Sequence, residues 1–119
     1  MMYLAVALGG AMGAVMRYSL VMLSGMPSAI LMANILGSFV LGGLLSAQQG
    51  GLFNLSPIWQ GFLMVGILGA FTTFSTFSLE AFMLFQQGEV KQAVAYVIAS
   101  VFLAILGFAL GYRLLSFFY

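Results

Sequence analysis

Four long apolar runs constrain this chain more than any other feature: Leu4 to Leu23, Ile30 to Ala47, Ile58 to Phe85 and Ala93 to Phe117. A bilayer core takes about 20 apolar residues per helix, so this length allows roughly four crossings and no separate soluble domain. Three basic and two acidic side chains are too few to cover the water-facing surface of a chain that is 64% apolar. The expected fold is therefore an all-α membrane protein, a single four-helix transmembrane domain over residues 1–119. The separators fit: "SGMPS" with Pro27, "SAQQGGLFNLSP" with Pro57, and "QQGEVKQ" with Glu89 and Lys91. They are short, so successive helices should be antiparallel neighbours. The first charge is Arg17 and the first run is long enough to span, which reads as a retained helix and not a cleaved signal.

The inventory excludes much chemistry. Without cysteine or histidine there are no disulfides and none of the commonest metal ligands. Glu80 and Glu89 are the only acids and Glu89 falls in a loop, so an acid and base pair is missing, as is an activated nucleophile. A net charge of +1 with no basic patch gives no reason to expect nucleic acid as a partner.

Basic residues near helix ends fix orientation, and here they scarcely choose. Arg17 and Lys91 fall toward one side of a four-span chain and Arg113 toward the other. That near balance predicts insertion both ways up and an antiparallel, dual-topology homodimer in the lipid bilayer. Gly9 and Gly13, and Gly107 and Gly111, are four apart, with Gly37 and Gly42 beside them. Such small residues serve a dimer contact or helix packing within one subunit, and spacing alone leaves both open.

The third run is the unusual one. Ile58 to Phe85 would make a continuous helix of roughly 42 Å, longer than a hydrocarbon core of about 30 Å. Gly66 and Gly69 precede Thr72 and Thr73, where glycine can relax the backbone and threonine can cap a restarting helix. A broken third helix suits this pattern better than tilt alone. Breaks at membrane depth persist only where protein, water or an ion meets the freed backbone groups, so either sign of ion is expected nearby. Beyond the break Thr72, Thr76 and Glu80 recur every four residues, with Thr73 three before Thr76, giving a polar face. Phe71, Phe74 and Phe77 recur every three, and their ring edges can meet an anion or simply fill a core. Glu80, inside a span but five residues from the end of its run, reads as functional or pore-lining, or as simply reaching the interface; Arg17 near a span end can reach headgroups without further purpose. Asn34 can glue helices or offer its NH2 group to an anion, and Ser38 one turn later extends its polar strip.

The motifs "GGAMGAVMRY", "ANILGSFVLG" and "GAFTTFSTFSLE", in this order over essentially the whole chain, resemble the Fluc/CrcB family of small bacterial fluoride channels. The resemblance implies two antiparallel chains enclosing two fluoride pores around a central structural sodium ion (Na+). It places sodium-binding backbone carbonyls at Gly69 and Thr72, pore phenylalanines at Phe74 and Phe77, and the pore asparagine at Asn34. It further implies a polar track at Ser75 and Thr76, the acidic residue at Glu80, the vestibule arginine at Arg17 and a fourth-span tyrosine at Tyr96. Periodicity would not have chosen Ser75 or Tyr96. Ala70 departs from the family, which often has a second glycine there. Every pore position holds the expected residue type, so a self-sufficient homodimer is expected.

The function expected is passive, selective export of fluoride from the cytoplasm across the bacterial inner (plasma) membrane, without enzymatic activity. Fluoride is small and strongly hydrated, so a narrow path must replace its water with donors. The alternative is a small four-helix, proton-coupled multidrug or cation exporter, which wants a buried acid in its first helix; that helix has none here. A purely structural assembly subunit would not require the broken third helix.

Overall fold

Lipid leaves a backbone little choice but to satisfy itself within helices. The computed structural model describes residues 1–119, and it is all-helical, with four helices long and apolar enough to cross a membrane. We label them α1 (Met2–Ser24) and α2 (Ala29–Gln49), then the third span as two limbs, α3 (residues 57–71) and α4 (Phe74–Gln86), and finally α5 (Val90–Ser116). Each span begins and ends within three residues of its apolar run.

Local chemistry sets the ends. Gly25 closes α1 in the left-handed region at φ 61°, and Gly88 turns the chain between α4 and α5 at φ 81°. The α3 limb starts with Ser56 accepting the Trp59 N–H on its side chain and Pro57 in the first turn, where its missing donor is not needed.

Packing departs from the expected order of neighbours. Short loops do join successive helices, yet the closest contacts run between alternate ones: α1 lies along α3, and α2 along α5. Glycine explains the choice. A methyl on Gly9 would run into the Phe62 carbonyl, and one on Gly13 into that of Ile67. On the second pair, Gly42 abuts the Phe108 carbonyl and Gly111 that of Phe39. These contacts are backbone on backbone, which only residues without a side chain permit. The spaced glycines thus serve packing within the chain.

The third span breaks, but not at its glycines. Gly66 is buried against Gly9, and Gly69 has ordinary helical angles of φ −63° and ψ −35°. The helix first widens into π-helical turns over Gly61–Leu68, closes with a short stretch to Phe71, and then becomes extended at Thr72 and Thr73. Thr72 therefore lies outside the helical face that carries Thr76 and Glu80. Phe71 is likewise separated from Phe74 and Phe77: it lines an apolar groove with Met16, Leu36 and Ile67. A period counted through a break does not hold across it.

Candidate functional site at the helix break

Breaking a helix frees carbonyls on one side and amides on the other, and each needs a partner. Several are met by this chain's own groups. The Thr72 N–H and hydroxyl both donate to the Leu68 carbonyl, at 3.1 and 3.0 Å. Asn34 of α2 takes both faces of Thr73: its Oδ1 accepts the Thr73 N–H at 2.8 Å and its Nδ2 donates to the Thr73 carbonyl at 3.1 Å. Arg17 of α1 donates from Nε to the Ala70 carbonyl at 3.1 Å. Thr73 then caps α4, its Oγ1 accepting the Thr76 N–H at 3.2 Å. The cap expected of a threonine is present, and Thr73 supplies it.

Among the carbonyls left underused at the break, two share one depression. Gly69 receives only a long 3.5 Å contact from the Thr72 hydroxyl, and the Thr72 carbonyl receives no hydrogen bond from the chain. Both residues line an open depression of about 350 Å³ together with Asn34, Ser38, Phe74, Phe77 and Ser100. Neutral carbonyl oxygens are hard ligands that suit an alkali cation. The Gly69 and Thr72 carbonyls named from sequence therefore have the right chemistry for such an ion.

The aromatic part of the site is asymmetric. Phe74 and Phe77 meet edge to face, with ring centroids 5.2 Å apart and planes at 74°. Phe77 is 8% exposed, whereas Phe74 is 66% exposed. Phe77 also packs on Tyr96 of α5 at 5.4 Å. Beyond that contact Tyr96 donates to a Glu80 carboxylate oxygen at 2.5 Å. Glu80 and Tyr96 line a second depression of about 420 Å³ with Ser28, Gln87 and Gln92. A row of polar and aromatic groups thus runs from the break toward the end of the span, with the Phe77 and Tyr96 rings between two open spaces.

Ser75 and Thr76 lie beside this row. They join the Thr73 hydroxyl at 3.2 and 3.3 Å, forming a small hydroxyl cluster at the start of α4. Arg17 stands apart from both depressions, its Nε turned to the break. Asn34 is first of all glue, one of the two roles open to it from sequence.

Sequence reading missed Ser100. It is 6% exposed, its hydroxyl has no hydrogen-bond partner, and it lines the depression at the break. A signal was present: Ser100 falls one turn after Tyr96 on the same face of α5.

The model of the family described as "CrcB-like protein, Camphor Resistance (CrcB)" matches residues 4–112. A "Fluoride-specific ion channel FluC" from Shewanella halifaxensis is 48% identical over 115 residues, covering 92% of this chain and 91% of that protein. Proteins of the same name are 46% identical over 118 residues in Thermus thermophilus, covering 94% and 93%, and over 112 residues in Saccharophagus degradans, covering 87% and 81%. With its break, its polar row and its matches all spread across the four spans, the chain belongs to the CrcB family.

Proposed function

We propose that this chain is a fluoride-selective channel that lets fluoride leave the cytoplasm passively, through two pores of an antiparallel homodimer in the bacterial inner (plasma) membrane. One observation carries the reading. At membrane depth the broken span presents Asn34, Phe74, Ser100 and two underused carbonyls in a depression open to the outside of a single chain. Lipid cannot satisfy such a surface, so it has to be screened from lipid, either packed against protein or lining an aqueous path that protein encloses. A second copy is the economical cover, and the near balance of Arg17 and Lys91 against Arg113 permits that copy to insert inverted. The name carried by the relatives supplies the ion.

In this reading the donors are distributed along the row. Asn34 keeps one amide hydrogen beyond the one given to Thr73, and the Ser100 hydroxyl is uncommitted. Ser75 and Thr76 add hydroxyls, and Phe74 and Phe77 offer positive ring edges. Glu80, bound to Tyr96, holds that phenol at the mouth of the second depression.

A structural sodium ion fits the remaining carbonyls. Gly69 and Thr72 of each chain would hold it, four oxygens in a two-fold dimer. Gly69 supports this placement: a methyl there would meet nothing closer than 3.7 Å inside the chain, so nothing internal calls for glycine. When bound, sodium supplies a fixed positive charge in a low-dielectric region where an anion must pass.

The deciding measurement is ion release from proteoliposomes, followed by fluoride and chloride electrodes. Fluoride release that needs no proton gradient, with chloride retained, is the expected result. Silence, or release only when a proton gradient is imposed, would overturn the reading. Tags on either terminus should be reached from both faces of the membrane; access from one face alone excludes the antiparallel dimer.

A further inference from the structure

Arg17 offers two properties to its surroundings, a positive charge and a directional hydrogen bond. The geometry at the break separates them. Gly9, Gly13 and Arg17 are successive turns of one α1 face, and each meets the backbone of α3: Gly9 at Phe62, Gly13 at Ile67 and Arg17 at Ala70. The two glycines fix the helices at backbone contact, so the third position of the seam is held with little slack. There the half-buried Arg17 places Nε 3.1 Å from the Ala70 carbonyl.

Ala70 lies in the last turn of α3, where carbonyls have lost their helical donors. Its neighbours on either side are Gly69, with one long contact, and Phe71, whose carbonyl receives no hydrogen bond from the chain. The Arg17 bond therefore ties down the one carbonyl in residues 69–72 that is firmly bonded, and with it the direction of the Gly69 and Thr72 carbonyls around it. The charge has no comparable task. A guanidinium beside oxygens that hold a cation repels that cation.

We propose that Arg17 is a positioning residue for the carbonyl loop of the break, acting through its Nε–H bond to Ala70, and that its positive charge is dispensable for this role. The inference rests on the proposed function in two ways: fluoride release is one readout, and the sodium ion placed at Gly69 and Thr72 supplies the other. Three variants separate bond from charge. Arg17→Gln places an amide nitrogen at the same number of bonds from Cα as Nε, keeping a donor without charge. Arg17→Met has the same reach and neither property. Arg17→Lys keeps the charge but moves the donor one bond outward.

Each variant is purified as the full chain, its thermal unfolding is followed in sodium chloride and in N-methyl-D-glucamine chloride, and its fluoride release is measured in liposomes. Leaving the part-buried Ala70 carbonyl without its partner weakens the site by about fivefold or more. Arg17→Gln should thus release fluoride at least about fivefold faster than Arg17→Met. It should also retain more of the sodium-dependent rise in unfolding temperature, whereas a general packing defect lowers that temperature equally in both salts. Equal values for Gln and Met with the parent's behaviour restored by Lys would overturn the proposal in favour of charge. Parent-like behaviour of Arg17→Met would overturn it outright. A parent protein that releases no fluoride would refute the channel reading instead, and the ranking of unfolding temperatures would still judge Arg17.

Discussion

Asn34 grips Thr73 by both backbone groups, accepting its N–H at 2.8 Å and donating to its carbonyl at 3.1 Å. This is the pairing a neighbouring strand would offer, supplied by one amide at the only point where the third span is extended. Asn34→Asp keeps the acceptor, loses the donor and sets a carboxylate against a carbonyl. Breaking such a bond away from water costs about 1–3 kcal/mol or more. Fluoride release should fall by about tenfold or more, each 1.4 kcal/mol being a factor of ten. The unfolding temperature should fall with it. Unchanged release and stability in the purified variant would remove Asn34 from the break.

Phe74 and Phe77 form one aromatic pair but should fail differently. Phe77 is 8% exposed and wedged between Phe74 and Tyr96, while Phe74 is 66% exposed in a single chain. Phe77→Ala should lower stability by about 3–5 kcal/mol, as loss of a packed ring does elsewhere. Phe74→Ile should leave the chain nearly as stable and sharply reduce fluoride release, because its ring works outside the single chain's core. Thermal unfolding paired with flux assays checks both, and a reversed order of stability contradicts the assignment.

Much of this was legible in the sequence because lipid imposes a simple demand. A run must be apolar for about 20 residues to cross, so the four spans announced themselves and their ends fell within three residues. The third run betrayed its break by being too long and by mixing glycine with threonine. Where the break falls was decided elsewhere, by the Thr73 cap and the grip of Asn34, the second of these a contact between elements far apart in the chain. Hence the glycines that looked like the hinge proved to be helical, Gly66 serving as a packing surface, and Phe71 was grouped with rings it does not join. Ser100 went unnoticed because a lone serine in an apolar span resembles filler until its lining of the depression is known.

Adjacent glycines on α1 give a clean test of the seam. A methyl on Gly9 would collide with the Phe62 carbonyl, whereas one on Gly10 would meet nothing within 4 Å. Backbone cannot move aside as a flexible side chain can. Gly9→Leu should prevent recovery of monodisperse protein, and Gly10→Leu should be recovered at close to the parent's yield. Size-exclusion profiles of the two settle the matter, and equal recovery would mean that α1 does not pack on α3 through Gly9.

Thr73 carries two loads through different atoms, which allows them to be tested apart. Its backbone is held by Asn34, and its hydroxyl accepts the Thr76 N–H at 3.2 Å and reaches the Ser75 and Thr76 hydroxyls. Thr73→Val preserves shape and backbone but deletes the cap. At an ordinary helix start that costs about 1 kcal/mol, and away from water an unmet amide costs several. Thr73→Ser keeps the oxygen and gives up only a methyl. Valine should therefore lower the unfolding temperature and slow fluoride release well beyond serine, in sodium and in its absence alike, since the cap acts on α4 and not on the carbonyls at Gly69 and Thr72. If valine and serine behaved the same, the restart of the helix would owe nothing to Thr73, and the two-atom division of labour at the break would be wrong.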